Sequence, residues 1–428
     1  MDTEIKIISK RSMLLFFGFF SVFSGYAVGN RLLICFGFGM LWLLFFTWHA
    51  AHNFFRDFSA QRHHYKRTFE NQELRIRILL QTESRIPLYM LEVIDIFPAG
   101  DMYRIKTLVS DRLDNRSAVE LEYFTICTRR RGVYVLGPIR LVCSDPLGIH
   151  KKKIELPVLT DLLIYPQAPD LKLFEVLGEG TLSQVGMETV FRPGHSEEFT
   201  GLREYRRGDN PRRIHWRSSA RHNKLLVKEF REDVVTEVTF FLDMHRLSLS
   251  GIGDITSVEY IIKAAAAIAR VAIEKSHLVQ VFILSKKIDH IPLGGGYSHL
   301  ITLLDRFTFL RPRGERTFEQ DLIEYIPHLK PGSTVVLIAG STNIHVQELA
   351  PILRQLMDKR IKLSVVLVDD RSFLKVYKDQ ECQWKESLPI RKLGELLIRE
   401  GCGLFILVKG DDVAAKLQQQ VSWQTTGK

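Results

Sequence analysis

Two long apolar runs without a charged residue stand near the start of the chain, and they restrict its fold more than any other feature. The first covers residues 13–28 and the second covers residues 32–48. Each is close to the shortest helix that crosses the hydrocarbon core of a bilayer, and one continuous helix over both would be much too long. Gly29, Asn30 and Arg31 separate the runs and favour a turn. The sequence therefore predicts a transmembrane hairpin of two helices over residues 13–48.

Two other interpretations of these runs stay open at this point. The first is a signal peptide followed by a single anchor, which would export the rest of the chain, although no small-residue cleavage pattern follows the first run. The second is a pair of buried core helices, although neither run has the polar face that such helices usually carry. The hairpin accounts for both runs with fewer assumptions.

Basic residues at the ends of the runs predict the orientation of the hairpin. Three precede the first run and four follow the second, whereas Arg31 is the one basic residue between them; the flanking residues are Lys6, Lys10, Arg11, Arg56, Arg62, Lys66 and Arg67. Loops rich in lysine and arginine stay on the cytoplasmic side. We therefore expect a two-span protein of a bacterial inner (cytoplasmic) membrane, with its soluble domains facing the cytoplasm.

Charge and cysteine content narrow the environment further. The chain has 59 basic and 49 acidic residues and a net charge of +10. This composition indicates a surface of mixed charge with an excess of basic residues. Such a surface favours anionic lipid, acidic protein surfaces or nucleic acid as neighbours. The five cysteines are odd in number and none has CxxC spacing, which argues against a disulfide framework and a thiolate metal site. A reducing compartment fits best.

The chain after the hairpin changes its pattern once. Residues 70–165 contain short strands with alternating apolar and polar residues, which predict an antiparallel β-sandwich. Residues 234–417 alternate apolar strands with amphipathic helices, which predict an α/β domain with a parallel sheet covered on both faces. The other predicted segments are a cytoplasmic tail (1–12), a basic juxtamembrane segment (49–69), a linker with the arginine-rich segment (166–233) and a flexible tail (418–428).

Arginines, aromatic residues and turn residues are concentrated in residues 196–233. A specific run within this segment resembles the signature of the "domain of unknown function 58" family. It is carried by Gly201, Leu202, Arg203, Tyr205, Gly208, Asp209, Arg213, Ile214, His215 and Trp216. The resemblance implies a von Willebrand factor A-like (Rossmann-like) fold for residues 234–417. It also implies a working partner, a MoxR-type AAA+ ATPase, in protein remodelling or envelope-related assembly, but no established reaction.

The A-type resemblance raises the question of a metal ion. Such domains often hold Mg²⁺ with an Asp-x-Ser-x-Ser loop after the first strand, because oxygen ligands suit a hard cation. Here Asp243 is present, but His245 and Leu247 replace both hydroxyl residues, and Arg246 adds a positive charge. We therefore expect no metal and no cofactor, with Asp243 hydrogen-bonded inside its own loop.

The arginine-rich segment allows three interpretations. Its arginines could pair with neighbouring carboxylates and tie the two soluble domains together, dock an acidic partner, or contact nucleic acid; the interspersed acids would repel a phosphate backbone. We expect a membrane-anchored, non-catalytic adaptor that binds another protein. The alternatives are a hydrolase with an unrecognised site around Asp209, His215 and Asp243, and a nucleic-acid-binding protein.

Overall fold

The computed structural model describes residues 10–54, 58–83, 91–109, 113, 118–144, 151–171, 198–207, 209, 211–231, 236–374, 388–399 and 402–419. The chain divides into two compact units. The first is Met1–Gln167 with Leu304–Leu310, and the second is Ala168–Leu303 with Arg311–Lys428. The predicted linker from Pro166 to Gly194 and the flexible tail after residue 418 lie largely outside the described residues.

The first unit begins with two antiparallel apolar helices, α1 (Lys10–Val28) and α2 (Arg31–Phe54). Gly29 adopts a left-handed conformation with φ of +68°, and the Asn30 side chain accepts a hydrogen bond from the backbone N–H of Leu32 at 3.0 Å. Both helices are long and apolar enough to cross a membrane, by length and composition. Their aromatic side chains are largely exposed. The two predicted apolar helices are therefore confirmed.

Small residues let the two helices approach closely. A Cβ atom at Gly37 would lie 2.8 Å from the carbonyl oxygen of Gly18 and 2.8 Å from the backbone nitrogen of Val22. The Ser21 hydroxyl donates to the Leu33 carbonyl oxygen at 2.9 Å. Close backbone approach and hydroxyl bonds between helices are the usual basis of helix packing in lipid, where apolar surface gives no preference for the partner helix.

Among the residues that the structure describes, ten strands follow in the first unit: β1 (Phe58–His64), β2 (Arg67–Phe69), β3 (Glu73–Thr82), β4 (Leu91–Ile96), β5 (Arg104–Val109), β6 (Val119–Ile126), β7 (Gly132–Leu136), β8 (Ile139–Ser144), β9 (Lys151–Leu156) and β10 (Thr160–Tyr165). They make three sheets, in the orders β1-β3-β6, β2-β10-β7 and β5-β4-β8-β9. Pairing is antiparallel except between β2 and β10. Side chains from all three sheets share one hydrophobic cluster.

The strands begin at Phe58, well before the start at residue 70 that the sequence predicts. The early strand β1 pairs with β3, and it contains Arg62, which the sequence places in a basic juxtamembrane segment. Its guanidinium is buried in an ion pair with Asp95 and donates to the carbonyl oxygens of Leu136 and Val158 at 3.0 and 3.1 Å. A buried arginine of this kind depends on its partners, because an unpaired buried charge is very costly.

The second unit contains a hairpin from the arginine-rich segment and a larger α/β part. The hairpin pairs β11 (Glu198–Glu204) with β12 (Leu226–Arg231) in antiparallel register, with α3 (Trp216–His222) between them. The elements of the α/β part are β13 (Glu237–Asp243), β14 (Gly251–Ile252), β15 (Ile255–Thr256), α4 (Ser257–Glu274), β16 (Leu278–Leu284), β17 (Asp289–Gly294), α5 (Gly296–Phe309), α6 (Phe318–Tyr325), β18 (Thr334–Gly340), α7 (Val346–Asp358), β19 (Lys362–Val368), α8 (Leu388–Arg399), β20 (Gly403–Leu407) and α9 (Val413–Leu417).

Six strands of this part form one sheet, in the order β17-β16-β13-β18-β19-β20. All neighbours are parallel except the edge strand β17, which the sequence does not predict. The chain moves outward from β13 to β16 on one side and then returns to β18 on the other. In open α/β sheets, ligands bind at the carboxyl ends of the strands where the strand order reverses. The loops after β13 and β18 lie at this point.

Candidate functional site

The carboxyl edge of the six-stranded sheet brings together loops from three strands. Asp243 ends β13, Gly340 ends β18, and Asp369 and Asp370 follow β19. All three aspartates are buried. A buried carboxyl group must either accept hydrogen bonds or carry a proton. The hydrogen-bond partners of these three aspartates therefore determine which chemistry this edge can support.

The carboxylate of Asp243 accepts four hydrogen bonds from the surrounding loops. Its Oδ1 accepts from the backbone N–H of His245 at 2.9 Å and from Asn343 Nδ2 at 3.1 Å; its Oδ2 accepts from Ser248 Oγ at 2.5 Å and from the backbone N–H of Gly340 at 3.3 Å. Burial raises the pKa of Asp243, and these four bonds oppose that rise. They occupy the approximately four acceptor positions of a carboxylate. Asp243 therefore ties the loop after β13 to the loop after β18.

The two other positions of the degenerate metal loop do not add oxygen ligands. His245 Nδ1 accepts from the backbone N–H of Leu247 at 3.0 Å and so caps the next turn, while the Leu247 side chain is exposed. Among the residues that the structure describes, no group of three or more His, Cys, Asp or Glu side chains could hold a metal ion. The absence of a metal remains a prediction from the sequence.

Asp370 is a second buried carboxyl at this edge, and its environment differs from that of Asp243. Its Oδ2 accepts from the backbone N–H of Thr342 at 3.0 Å, whereas its buried Oδ1 has no hydrogen-bond partner within the described residues. Burial raises the pKa of Asp370 to about 7, and the negative charges of Asp243 and Asp369 add to the rise. Burial also raises the pKa of Asp369. The environment of Asp370 therefore favours the neutral form of its carboxyl group.

A short hairpin of β14 and β15 displays two isoleucines beside these loops. Ile252 and Ile255 are cross-strand partners, 70% and 52% exposed, on either side of a turn in which Gly253 has φ of +69°. Three exposed leucines come from the neighbouring loops. We call this set the apolar rim: Leu247, Leu249, Ile252, Ile255 and Leu374.

The base of the apolar rim is fixed by hydrogen bonds. The Ser257 hydroxyl accepts from the backbone N–H of Ser250 at 2.8 Å and donates to the Ser248 carbonyl oxygen. Ser248 itself donates to Asp243, and β14 contacts the turn at Asp370–Phe373. The isoleucine pair is thus exposed at its tip and anchored through the buried carboxylate network at its foot.

The arginine-rich hairpin carries its own ion pairs. The Arg203 guanidinium makes two hydrogen bonds of 2.7 Å to the Asp209 carboxylate, which also accepts from the backbone N–H of Arg206 at 2.7 Å. The bond from Arg203 is the main reason that the pKa of Asp209 is lowered to about 2. Lys224 pairs with Glu204 at 2.7 Å. These pairs join neighbouring parts of the same segment.

Other signature residues build the turn and helix of this segment. Ile214 is buried, and the backbone N–H of His215 donates to the Leu226 carbonyl oxygen at 2.8 Å. His215 Nδ1 accepts from the backbone N–H of Ser218 at 3.2 Å and so caps α3. The backbone N–H of Tyr205 donates to the Leu225 carbonyl oxygen at 2.8 Å. Trp216 is 66% exposed.

The remaining signature residues have less specific positions. Gly201 lies opposite Glu229 at an irregularity in the pairing of β11 with β12, Leu202 and Arg213 are exposed, and Gly208 lies outside the described residues. No hydrogen bond in the described part of the chain joins any two of Asp209, His215 and Asp243. Each belongs to a separate local network.

Sequence reasoning missed the apolar rim and Asp370. The run Gly251-Ile252-Gly253-Asp254-Ile255 has the pattern of a tight hairpin. A glycine and an aspartate, which favour a turn, stand between two β-branched isoleucines. Asp370 follows an apolar strand in the same way as Asp243, and carboxyl ends of parallel strands meet at one edge. Burial of these carboxyls depends on contacts distant in sequence, which no local pattern shows.

Comparison with known proteins identifies a family match over part of the chain. Residues 201–373 match the family described as "Protein of unknown function DUF58". The "Uncharacterized protein YeaD" of Bacillus subtilis (strain 168) is 24% identical over 210 residues, which cover 47% of this chain and 51% of that protein. The chain thus spans about half the length of the curated relative that it matches.

Two solved structures each resemble about a quarter of the chain. The CARDB domain of the PF1109 protein from Pyrococcus furiosus is 11% identical, with 25% of this chain and 92% of that chain covered and a TM-score of 0.18. The PKD domain of an M14-like peptidase from a Thermoplasmatales archaeon is 8% identical, with 24% and 91% covered and a TM-score of 0.17. Scores this low support no inference about fold or function.

Proposed function

We propose that this chain is a membrane-anchored, non-catalytic interaction protein whose apolar rim binds a partner protein. The exposed pair of Ile252 and Ile255 on a fixed hairpin is the observation on which this proposal rests. Contiguous exposed apolar side chains on a folded surface commonly mark an interaction site. The position of the hairpin, at the reversal of strand order, is the usual place for a binding site in an α/β sheet.

Rigidity makes the isoleucine pair suitable as an anchor for binding. A docking element that is already ordered loses less conformational entropy when it binds. Burying an exposed isoleucine side chain contributes about 1.5–3 kcal/mol, so the pair could supply much of the affinity of a moderate complex. The network from Ser257 through Ser248 to Asp243 supplies this order, which gives the buried aspartate a structural role in binding.

The proposed anchor is the hairpin of α1 and α2. Its length, apolar composition and exposed aromatic residues suit lipid, and the flanking basic residues favour a cytoplasmic location for both soluble units. We further propose a β-sandwich for the strands of the first unit and a von Willebrand factor A-like fold for the α/β part. The shared hydrophobic cluster and the six-stranded sheet support these two assignments.

The proposed partner is a MoxR-type AAA+ ATPase, in protein remodelling or envelope-related assembly. This part of the proposal rests on the resemblance of the signature segment. The sequence has no GxxxxGK[ST] loop, so we assign ATP turnover to the partner.

The separate networks of Asp209, His215 and Asp243 favour binding over the hydrolase alternative. A catalytic set needs a nucleophile or base within hydrogen-bonding reach of its orienting group. Here Asp209 is bound by Arg203, His215 caps α3, and Asp243 holds two loops. These contacts give each of the three side chains a local structural role.

The test is binding of the purified, detergent-solubilised chain to a purified MoxR-type AAA+ ATPase. We expect the double variant Ile252→Asp with Ile255→Asp to bind about 100-fold more weakly or worse, because at least about 3 kcal/mol of apolar burial is lost. The control is Ile323→Asp, since Ile323 is 54% exposed on α6 and does not belong to the apolar rim. Equal affinity of the double variant and the control would contradict the proposal.

A further inference from the structure

A buried carboxyl group lies at the base of the apolar rim. Asp370 is 1% exposed and begins the turn Asp370–Phe373, which the rim residue Leu374 follows directly. The same turn contacts β14, the strand that ends at Ile252. We propose that ionisation of Asp370 loosens the apolar rim, so that pH regulates the binding of the partner protein. The regulation of binding rests on the proposed function, whereas the loosening itself does not.

The carboxyl group of Asp370 has little free space around it. A Cβ atom added at Gly340 would lie 2.6 Å from Oδ1 and 2.8 Å from Oδ2 of Asp370, and 2.9 Å from the Cβ atom of Ser248. The carboxyl group and the Ser248 side chain therefore pack against the same point on the backbone of Gly340. Water that hydrates an ionised Asp370 must displace one of these neighbours, because close-packed interiors have few voids that hold a water molecule.

Ser248 connects this position to the β14–β15 hairpin. Its hydroxyl donates to Asp243, and its carbonyl oxygen accepts from the Ser257 hydroxyl. The backbone N–H of Ser257 in turn donates to the carbonyl oxygen of Ser250 at 2.9 Å, directly before β14. A displaced Ser248 therefore loses the hydrogen bonds that hold the base of the hairpin.

The immediate surroundings of Asp370 suit a neutral carboxyl group. Its Oδ2 accepts from the backbone N–H of Thr342 at 3.0 Å, whereas its buried Oδ1 has no hydrogen-bond partner within the described residues. Burial raises the pKa of Asp370 to about 7. A buried carboxylate needs more hydrogen bonds than this environment supplies.

The charges that act on Asp370 also favour its neutral form. The two charges that raise its pKa, those of Asp243 and Asp369, are both negative. The turn Ser341–Asn343, which contacts the Asp370 turn, has no titratable side chain. Titratable groups on the other neighbouring elements are Asp243, His245 and Arg246 after β13, Asp254 between β14 and β15, Glu259 and Tyr260 on α4, Asp369 and Arg371 beside Asp370, and Lys409 and Asp411 after β20.

The direction and size of the pH effect follow from the raised pKa. The neutral carboxyl group stabilises the closed rim fully below the unfolded pKa of about 3.9, and this contribution is lost as the pH rises to about 7. An open form in which water reaches Asp370 should therefore be about tenfold more populated at about pH 8 than at about pH 6. Asp370→Asn stays neutral and should lack this change.

The first measurement is amide hydrogen exchange of the detergent-solubilised full chain without a partner. Wild type and Asp370→Asn are compared at the same pH, so that the intrinsic pH dependence of exchange cancels. We expect the exchange rate of residues 248–257 in the wild type, divided by the rate in the variant, to rise about tenfold between about pH 6 and about pH 8. A constant ratio overturns the inference.

Two further variants make this result specific to Asp370. Asp370→Ser removes the same charge with a smaller side chain, so it repeats the comparison if the amide does not fit. Asp358→Asn is the matched control, because Asp358 is exposed at the end of α7. Its exchange at residues 248–257 should follow that of the wild type at both pH values, and a rise of the ratio with this control would overturn the assignment to Asp370.

The second measurement connects the loosening of the rim to binding. The affinity of wild type and Asp370→Asn for a MoxR-type AAA+ ATPase is compared at about pH 6 and about pH 8. We expect the wild type to weaken relative to the variant by up to about tenfold, because only the closed rim binds. Equal pH dependence in the two chains overturns the regulation. A rising exchange ratio without binding supports the loosening and contradicts the proposed function, whereas binding with a constant exchange ratio refutes this inference alone.

Discussion

Asp370 shows how the carboxyl edge of the α/β part depends on pH. Its carboxyl group is buried against Gly340, where an added Cβ would lie 2.6 Å from Oδ1. The nearby charges of Asp243 and Asp369 oppose its ionisation, and burial raises its pKa to about 7. Folding therefore favours the protonated form of Asp370 over the ionised form.

The first prediction concerns the pH dependence of stability. In the folded chain the pKa of Asp370 is raised above the unfolded value of about 3.9, so its favourable contribution is complete below about pH 4 and is lost as the pH rises to about 7. The full loss is at most about 4 kcal/mol. Asp370→Asn should therefore reduce the fall in melting temperature of the solubilised chain between about pH 5 and about pH 8.

Asp243 and Asp369 have raised pKa values as well, so part of the fall should persist in Asp370→Asn. Asp254→Asn is the matched control, because Asp254 is exposed at the turn of the β14–β15 hairpin. A variant with the full wild-type slope would show that Asp370 does not titrate in this range.

At the scale of elements, the signature segment is a packed hairpin that displays polar and aromatic groups. Its residues divide into two structural roles that the sequence does not separate. Ile214 and Val227 are buried and pair across the hairpin through an isolated bridge, whereas Trp216 follows two residues later and is mostly exposed. The burial of Ile214 assigns it a role in stability, which the exposed Trp216 does not share.

The second prediction of this account separates these roles by substitution. Ile214→Ala should destabilise the second unit by about 2–5 kcal/mol, the usual cost of truncating a buried aliphatic side chain. Trp216→Ala should change its stability by less than about 1 kcal/mol, because most of the indole contacts solvent. Thermal unfolding of the two solubilised variants compares them directly. A larger loss for Trp216→Ala would place the indole in a packed interface.

Local patterns predict the elements of this chain well where periodicity is strong. The strand β3 follows from its alternation of apolar and polar residues, whereas the apolar helices and the buried strand β18 follow from continuous apolar runs. The edge strand β17 does not, since its Asp289-His290-Ile291-Pro292 start lacks an apolar run. Arg62 and Asp370 were not assigned to buried networks because their partners lie far away in sequence.

At the scale of the whole molecule, the chain combines an apolar hairpin, a β-rich part and an α/β part with an exposed isoleucine pair. We propose that the apolar rim meets its partner at the cytoplasmic face of the membrane. Labelling one position tests two things together: on which side of the membrane the apolar rim lies, and whether the partner protein covers it. Ile252 is suitable because it is 70% exposed at the hairpin tip.

The measurement is labelling of Ile252→Cys by a membrane-impermeant maleimide, in a chain whose five native cysteines are replaced by serine. We expect rapid labelling in sealed inverted membrane vesicles, none in sealed spheroplasts, and slower labelling after a MoxR-type AAA+ ATPase is added to the vesicles. Ile323→Cys should be labelled on the same side without being slowed by the ATPase. Labelling of Ile252→Cys in spheroplasts, or an unchanged rate with the ATPase bound, would contradict the account.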